Sequence, residues 1–168
     1  SKMKTVKKNS VFIIALVVII ALLLLVFIRN YKAEKYAKKI EKLFGDFNLT
    51  VPENKNIIYE ESIFVGLLGD GEGLIIYQID SKEMKKLTKQ CETNDWEELP
   101  IVNKEYIELK EKIGITSKEI DKYMHFNWQN GFYNIKDLTK PKHLRFYDFK
   151  MSIVDLKENK IYFYESHQ

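Results

Sequence analysis

The sequence predicts an α+β protein: one N-terminal transmembrane helix, then a small domain with an antiparallel sheet of about five strands and about three short helices. Three observations predict it. Residues 11–28, VFIIALVVIIALLLLVFI, are apolar without interruption. Runs rich in β-branched and aromatic residues, broken by short turn-forming stretches, occupy both ends of the chain beyond residue 45. Between them lie segments with helical spacing and N-capping residues.

The apolar run has 18 residues. At 1.5 Å per residue it covers about 27 Å, close to the roughly 30 Å of a bilayer's hydrocarbon core. A cleaved signal peptide is the rival reading, because Lys2, Lys4, Lys7 and Lys8 form a basic N-terminal region. The run exceeds a typical signal-peptide core, no A-x-A site comes after it, and RNYKAEKYAKK would stop transfer. The expected division is a basic tail over 1–10, a transmembrane helix over 11–28, a helical stalk over 29–45, a linker over 46–56 and an α+β domain over 57–168.

Four basic residues precede the span and five stand close behind it, so charge does not orient it. The common signal-anchor arrangement puts the soluble domain on the extracytoplasmic side. In the stalk, Ala33, Tyr36, Ala37, Ile40, Leu43 and Phe44 recur at helical spacing, and Gly45 is a natural terminator. Such a stripe packs on its own domain or pairs two copies as a short coiled-coil homodimer.

Residues 57–68 and 74–79 read as two strands of a hairpin, joined by GDGEG, whose glycines supply positive φ. A phosphate loop would need a helix after its glycines, and an EF-hand a longer alternation of acids, so the loop is expected to turn the chain. Asp70 and Glu72 are the one pair in it able to hold a cation. Next comes a helix over 81–91, capped by Asp80 or Ser81, with Met84, Leu87 and Cys91 on one face. Residues 92–101 read as irregular. Helices are expected over 103–113 and 117–124, the latter with Thr116 and Glu119 as a capping box. A turn around Asn130-Gly131 leads to a strand from Phe132, and strands over 143–156 and 160–166 flank a turn at 157–160. The helices are expected on one face of the sheet.

Charge narrows the function classes. Residues 1–39 carry nine Lys/Arg and one acid, whereas residues 40–168 carry 18 Lys/Arg and 23 Asp/Glu. A nucleic-acid binder concentrates positive charge in its folded domain, and here the reverse holds. The single cysteine, Cys91, excludes an intramolecular disulfide, and the three histidines show no metal-ligand spacing. There is no G-x-S-x-G motif and no cysteine–histidine signature. Glu60 and Glu61 are neighbours on a strand and so point to opposite faces. No catalytic, cofactor-binding or metal-ligating residue is assigned. Trp96, in the irregular stretch, reads as a lid packing over the sheet edge or as an exposed anchor for a partner; it and Trp128, in the aromatic run FNWQNGFY, are the candidate partner-binding residues.

GDGEGLIIYQI, NDWEELPI, GFYNIKD and DFKMSIVDLKENKIYFYE occur in that order. The series resembles a group of small, uncharacterised membrane-anchored proteins of Gram-positive bacteria, matching at Gly69, Asp70, Gly71, Trp96, Leu99 and Pro100 over about residues 63–166. That group often carries a histidine before the glycines, where this chain has FVGLL. The resemblance implies the architecture and lends no mechanism. A pilin-like subunit would share the layout, but the Gly-Phe cleavage context and early glutamate of pilins are missing. The expected function is that of a membrane-anchored, non-enzymatic binding or accessory protein, of the immunity or regulatory-subunit type. A carboxylate-dependent envelope hydrolase is the alternative.

Overall fold

The computed structural model describes residues 2–65, 70–102, 117–124, 126–139 and 148–167. The chain divides into two compact units, Ser1–Lys42 and Leu43–Gln168. Helix α1, Lys2–Gly45, accounts for the first unit and lends its last turn to the second. The expected tail is itself helical from Lys2 onward. α1 is long and apolar enough to cross a membrane, with a mean hydropathy of 2.9 in its most apolar stretch. Its large side chains from Ile13 to Ile28 are all exposed, Phe27 at 68%. In water that exposure would forgo the stabilisation of burial, about 25 cal/mol per Å² of apolar surface.

The second unit is built on one antiparallel sheet. Its strands are β1 (Lys55–Val65), β2 (Asp70–Ile79), β3 (Glu97–Glu98), β4 (Gly131–Asp137), β5 (Phe149–Asp155) and β6 (Lys160–His167). They lie in the order β1-β2-β6-β5-β4-β3. The expected five strands become six because residues 97–98, inside a stretch that reads as irregular, pair with Tyr133 and Phe132. Two helices complete the described part, α2 (Ser81–Thr93) and α3 (Lys118–Tyr123). The helix expected over 103–113 and the first part of the strand expected over 143–156 lie outside the described residues.

The sheet is covered on both faces, not on one as expected. Leu74, Ile76, Met151, Ile153, Tyr162 and Tyr164 point to one face and pack with Ile120, Met124, Trp128 and Leu99. Tyr77 and Phe163 point to the other, where Phe44 meets them at ring-centroid distances of 5.8 and 4.8 Å. Phe47 lies on Phe163 at 5.8 Å and on Trp96 at 6.0 Å. Two-sided burial explains why residues 149–166 alternate poorly: a strand buried on both faces reads as a continuous apolar run.

The expected linker over 46–56 is largely packed structure. Phe47 and Leu49 are buried, and Leu49 N–H donates to the Phe44 carbonyl across the helix end at 3.0 Å. Asn48, not Gly45, takes the left-handed conformation there, at φ 57. The Asn94 side chain then clamps the Asn48 carbonyl at 2.8 Å. Phe47 and Leu49 therefore belong to the core of the second unit.

Asp80 caps α2, accepting from Lys82 N–H at 2.9 Å and Glu83 N–H at 2.8 Å. Met84, Leu87 and Cys91 form its buried face, as their spacing predicts. At α3 the cap is Ser117 rather than the expected Thr116, its hydroxyl accepting from Ile120 N–H at 3.2 Å. The Glu83 backbone N–H, foremost among its donors, holds the Asp80 carboxyl below its ordinary pKa of 3.8. A depressed folded pKa means stability present above the unfolded value and lost as pH falls through the folded one. Asp80→Asn should keep a capping oxygen and lose this dependence. In denaturant melts of the detergent-solubilised chain, the gap between wild type and variant should narrow steadily below about pH 4. A constant gap down to pH 2 would remove Asp80 as the source.

Candidate functional site

Among the described residues of the second unit, two places gather polar side chains. The first is on the inner face of β1 and β2. Glu61 and Glu72 lie on the same face as Leu74, by the pairing of Glu61 with Leu74 and the two-residue spacing along β2. Glu60, one residue earlier, faces the other way, as expected, and is exposed.

Glu72 is only 4% exposed. One of its oxygens accepts from Ser117 N–H at 2.7 Å and the other from the Tyr164 hydroxyl at 3.0 Å. Glu61 accepts from the Ser117 hydroxyl at 3.1 Å and from the Tyr59 hydroxyl. Ser117 therefore touches both carboxylates while capping α3. Burial, and next to it the Glu61 carboxylate, push the Tyr59 phenol up. Burial and the adjacent Glu72 do the same to Tyr164. Both phenols stay protonated and act as donors at physiological pH.

This arrangement corrects the expected loop. Asp70, Gly71, Glu72 and Gly73 belong to β2, and Val65 pairs with Asp70, so the hairpin closes between Val65 and Asp70. Gly71 does take positive φ, at 151. Glu72, a possible cation ligand beside Asp70 by sequence, faces inward onto Ser117 and Tyr164 instead. Among the described residues no group of three or more acidic, histidine or cysteine side chains is placed to hold a metal ion.

The second place is a cleft of about 540 Å³ between α3, residues 127–130 and the turn joining β5 to β6. Tyr123, Asn127, Trp128 and Tyr162 line one part of it, and Lys122, Lys157 and Lys160 alternate with Asp155 and Glu158 around the rest. Its volume suits a small ligand or an inserted side chain. Asp155 shapes the turn, accepting from Lys157 N–H at 2.9 Å and Glu158 N–H at 3.3 Å. Trp128 and Tyr162 meet edge to face at 5.3 Å. Burial pushes the Tyr162 phenol up, and the Trp128 indole beside it works in the opposite sense.

The two tryptophans thus differ. Trp96 is 9% exposed, lies in the packing around Phe47, and donates its indole N–H to the Phe47 carbonyl at 3.1 Å. Its apolar and polar parts are both engaged inside the second unit. Trp128 is 4% exposed, and an edge of it lines the cleft. The two do not share a site: Trp128 packs with the cluster around Tyr162, and Trp96 with Phe47 beside Phe163, whose side chain points to the opposite face of the sheet. Cys91 is a packing residue, its thiol pushed up to about 12 by burial. His125 and His143 lie outside the described residues, and His167 stands 3.5 Å from Asp148.

Sequence reasoning missed Ser117 and Tyr164 as partners of buried acids. The one available signal was an acid inside a run of strand-forming residues, GEGLIIY, and a loop reading absorbed it. Comparison with known protein families, curated proteins and solved structures finds no match.

Proposed function

We propose that the protein is a membrane-anchored binding or accessory subunit, its α+β head tethered by residues 11–28 and displayed on the extracytoplasmic side. The observation that carries this reading is the exposure of every large apolar side chain from Ile13 to Ile28, beside a head that closes its own core. Such a helix needs lipid around it. The cleft bordered by Trp128 is the head's candidate contact with a partner, since it combines aromatic edges with charges of both signs.

A photo-crosslinking residue at Asn127, inside the cleft, should trap a partner in intact cells. The same residue at Lys89, exposed on α2, should not. Equal adducts at both positions, or none at either, would count against the cleft. Protease added to intact cells should remove a C-terminal epitope tag, and protection until lysis would reverse the orientation.

The hydrolase reading draws on one observation, the convergence of Glu61 and Glu72 on Ser117. It requires that Glu61→Gln and Glu72→Gln abolish hydrolysis of some glycoside, ester or peptide while the fold persists. An inert wild-type protein on broad substrate panels would end it.

A further inference from the structure

Beyond the span, α1 carries Lys32, Lys35, Lys38, Lys39 and Lys42, all exposed. At 100° per residue the five fall within about 120° of arc. Ala33, Ala37 and Ile40 occupy the opposite side, and Glu34 and Glu41 lie just past one edge of the lysine sector. The lysines border one shallow groove around Tyr36. Glu34 reaches Lys38 at 2.6 Å, and both side chains are more than half exposed, so water screens that pair. Like charges three and four residues apart, as in Lys32/Lys35, Lys35/Lys39 and Lys38/Lys42, repel one another. A helix holds such a stripe more comfortably beside a diffuse negative surface.

We propose that this face binds the anionic headgroups of the leaflet at which the span emerges, with Lys32 and Lys35 as the phosphate contacts. The proposal rests on the reading that residues 11–28 cross a bilayer. Position selects the occupant. Lys32 lies four residues beyond Ile28 and Lys35 seven, or about 6 and 10 Å of helix rise. The polar layer of a bilayer extends about 5–8 Å beyond the hydrocarbon on each side. Long lysine side chains that reach back toward the surface place both ammonium groups among the phosphates. Lys39 and Lys42 stand about 16 and 21 Å out, beyond a Debye length of roughly 8 Å at physiological salt, and feel that surface weakly. A soluble polyanion would have to compete with lipid for the two lysines nearest the membrane.

The full chain would be reconstituted in phosphatidylcholine vesicles with a trace of spin-labelled phosphatidylglycerol or spin-labelled phosphatidylcholine. Electron spin resonance then measures the lipid immobilised at the protein. The expected result is a preference of about fivefold for phosphatidylglycerol at low salt, one effective lysine contact. It should fall toward equality in 1 M NaCl. Lys32→Gln with Lys35→Gln should remove most of it, and Lys39→Gln with Lys42→Gln should leave most of it. Equal immobilisation of both labels by wild type would overturn the proposal, as would equal loss in the two paired variants. So would a preference erased by inorganic phosphate but not by NaCl of the same ionic strength, which would make free phosphate the ligand. Binding of soluble polyglutamate that the first variant loses, with no lipid preference, would overturn it in favour of an acidic protein. Absence of immobilised lipid with either label would instead defeat the membrane-span reading itself.

Discussion

Replacing Gly131 by alanine is expected to cost the head about 3 kcal/mol or more. Gly131 opens β4 with φ 137, and a Cβ built there would stand 1.9 Å from the Val154 carbonyl oxygen. The atoms it would meet, in Val154 and Leu156, are all backbone and not the ends of flexible side chains. Gly131 faces Asp155 in the ladder, its carbonyl accepts from Leu99 N–H at 3.0 Å, and the neighbouring Asn130 carbonyl accepts from Leu156 N–H at 3.0 Å. Relief would have to separate β4 from β5 or pull the β3 segment away. Gly45 supplies the control, since a Cβ there meets nothing within 4 Å. Gly45→Ala should be neutral or stabilise by up to about 1 kcal/mol. Chemical denaturation of the detergent-solubilised chain measures both, and wild-type stability in Gly131→Ala would refute the close approach to Val154.

Glu72→Ala is expected to cost about 3 kcal/mol, from two buried hydrogen bonds to a carboxylate at roughly 1.5 kcal/mol each. The loss leaves Ser117 N–H and the Tyr164 hydroxyl without this acceptor in a region that excludes water. Tyr164→Phe removes one donor and keeps the ring, so about 1.5 kcal/mol is expected. The double variant should fall short of the sum, because the two side chains share one bond. Additive losses would show that Glu72 and Tyr164 do not bond. A Glu72→Ala protein as stable as wild type would show that the carboxylate is solvated.

Much of this fold is legible in the sequence, and the failures have physical causes. Residues 11–28 announce their helix because nothing polar interrupts them, and α2 is announced by Asp80 and the Met84/Leu87/Cys91 spacing. The hairpin of β1 and β2 is legible, but most of the stretch that reads as its turn belongs to β2. Glycine and acid in GDGEG suggest a loop, whereas Gly73 sits in the ladder opposite Ser62 and Glu72 is buried beneath Ser117. Local composition does not reveal that a distant backbone N–H will satisfy an acid. Likewise, residues 46–56 look like a linker until Phe47 and Leu49 find their pockets, a tertiary event. β3 has only two residues, too short for any periodicity. For Trp96 the sequence leaves a packed lid and an exposed anchor both open, and only packing shows that it lies against Phe47.

The sheet order has a consequence for how the head is made. β2 is flanked by β1, its neighbour in the chain, and by β6, the last of these six strands in chain order, so that Leu74 pairs with Tyr164. The hairpin can form as soon as both its strands emerge, but its inner edge waits for β6. At ordinary translation speeds that wait is on the order of 10 s. Closure over such a sequence separation belongs to the slower range of folding rates. Throughout it, Leu74 and Ile76 stand on an open edge, which makes the nascent chain more vulnerable to misassembly than the finished one. Shielding β2 during synthesis, by slow translation or a holding chaperone, should therefore raise the yield of folded protein more than any stabilisation of the completed head.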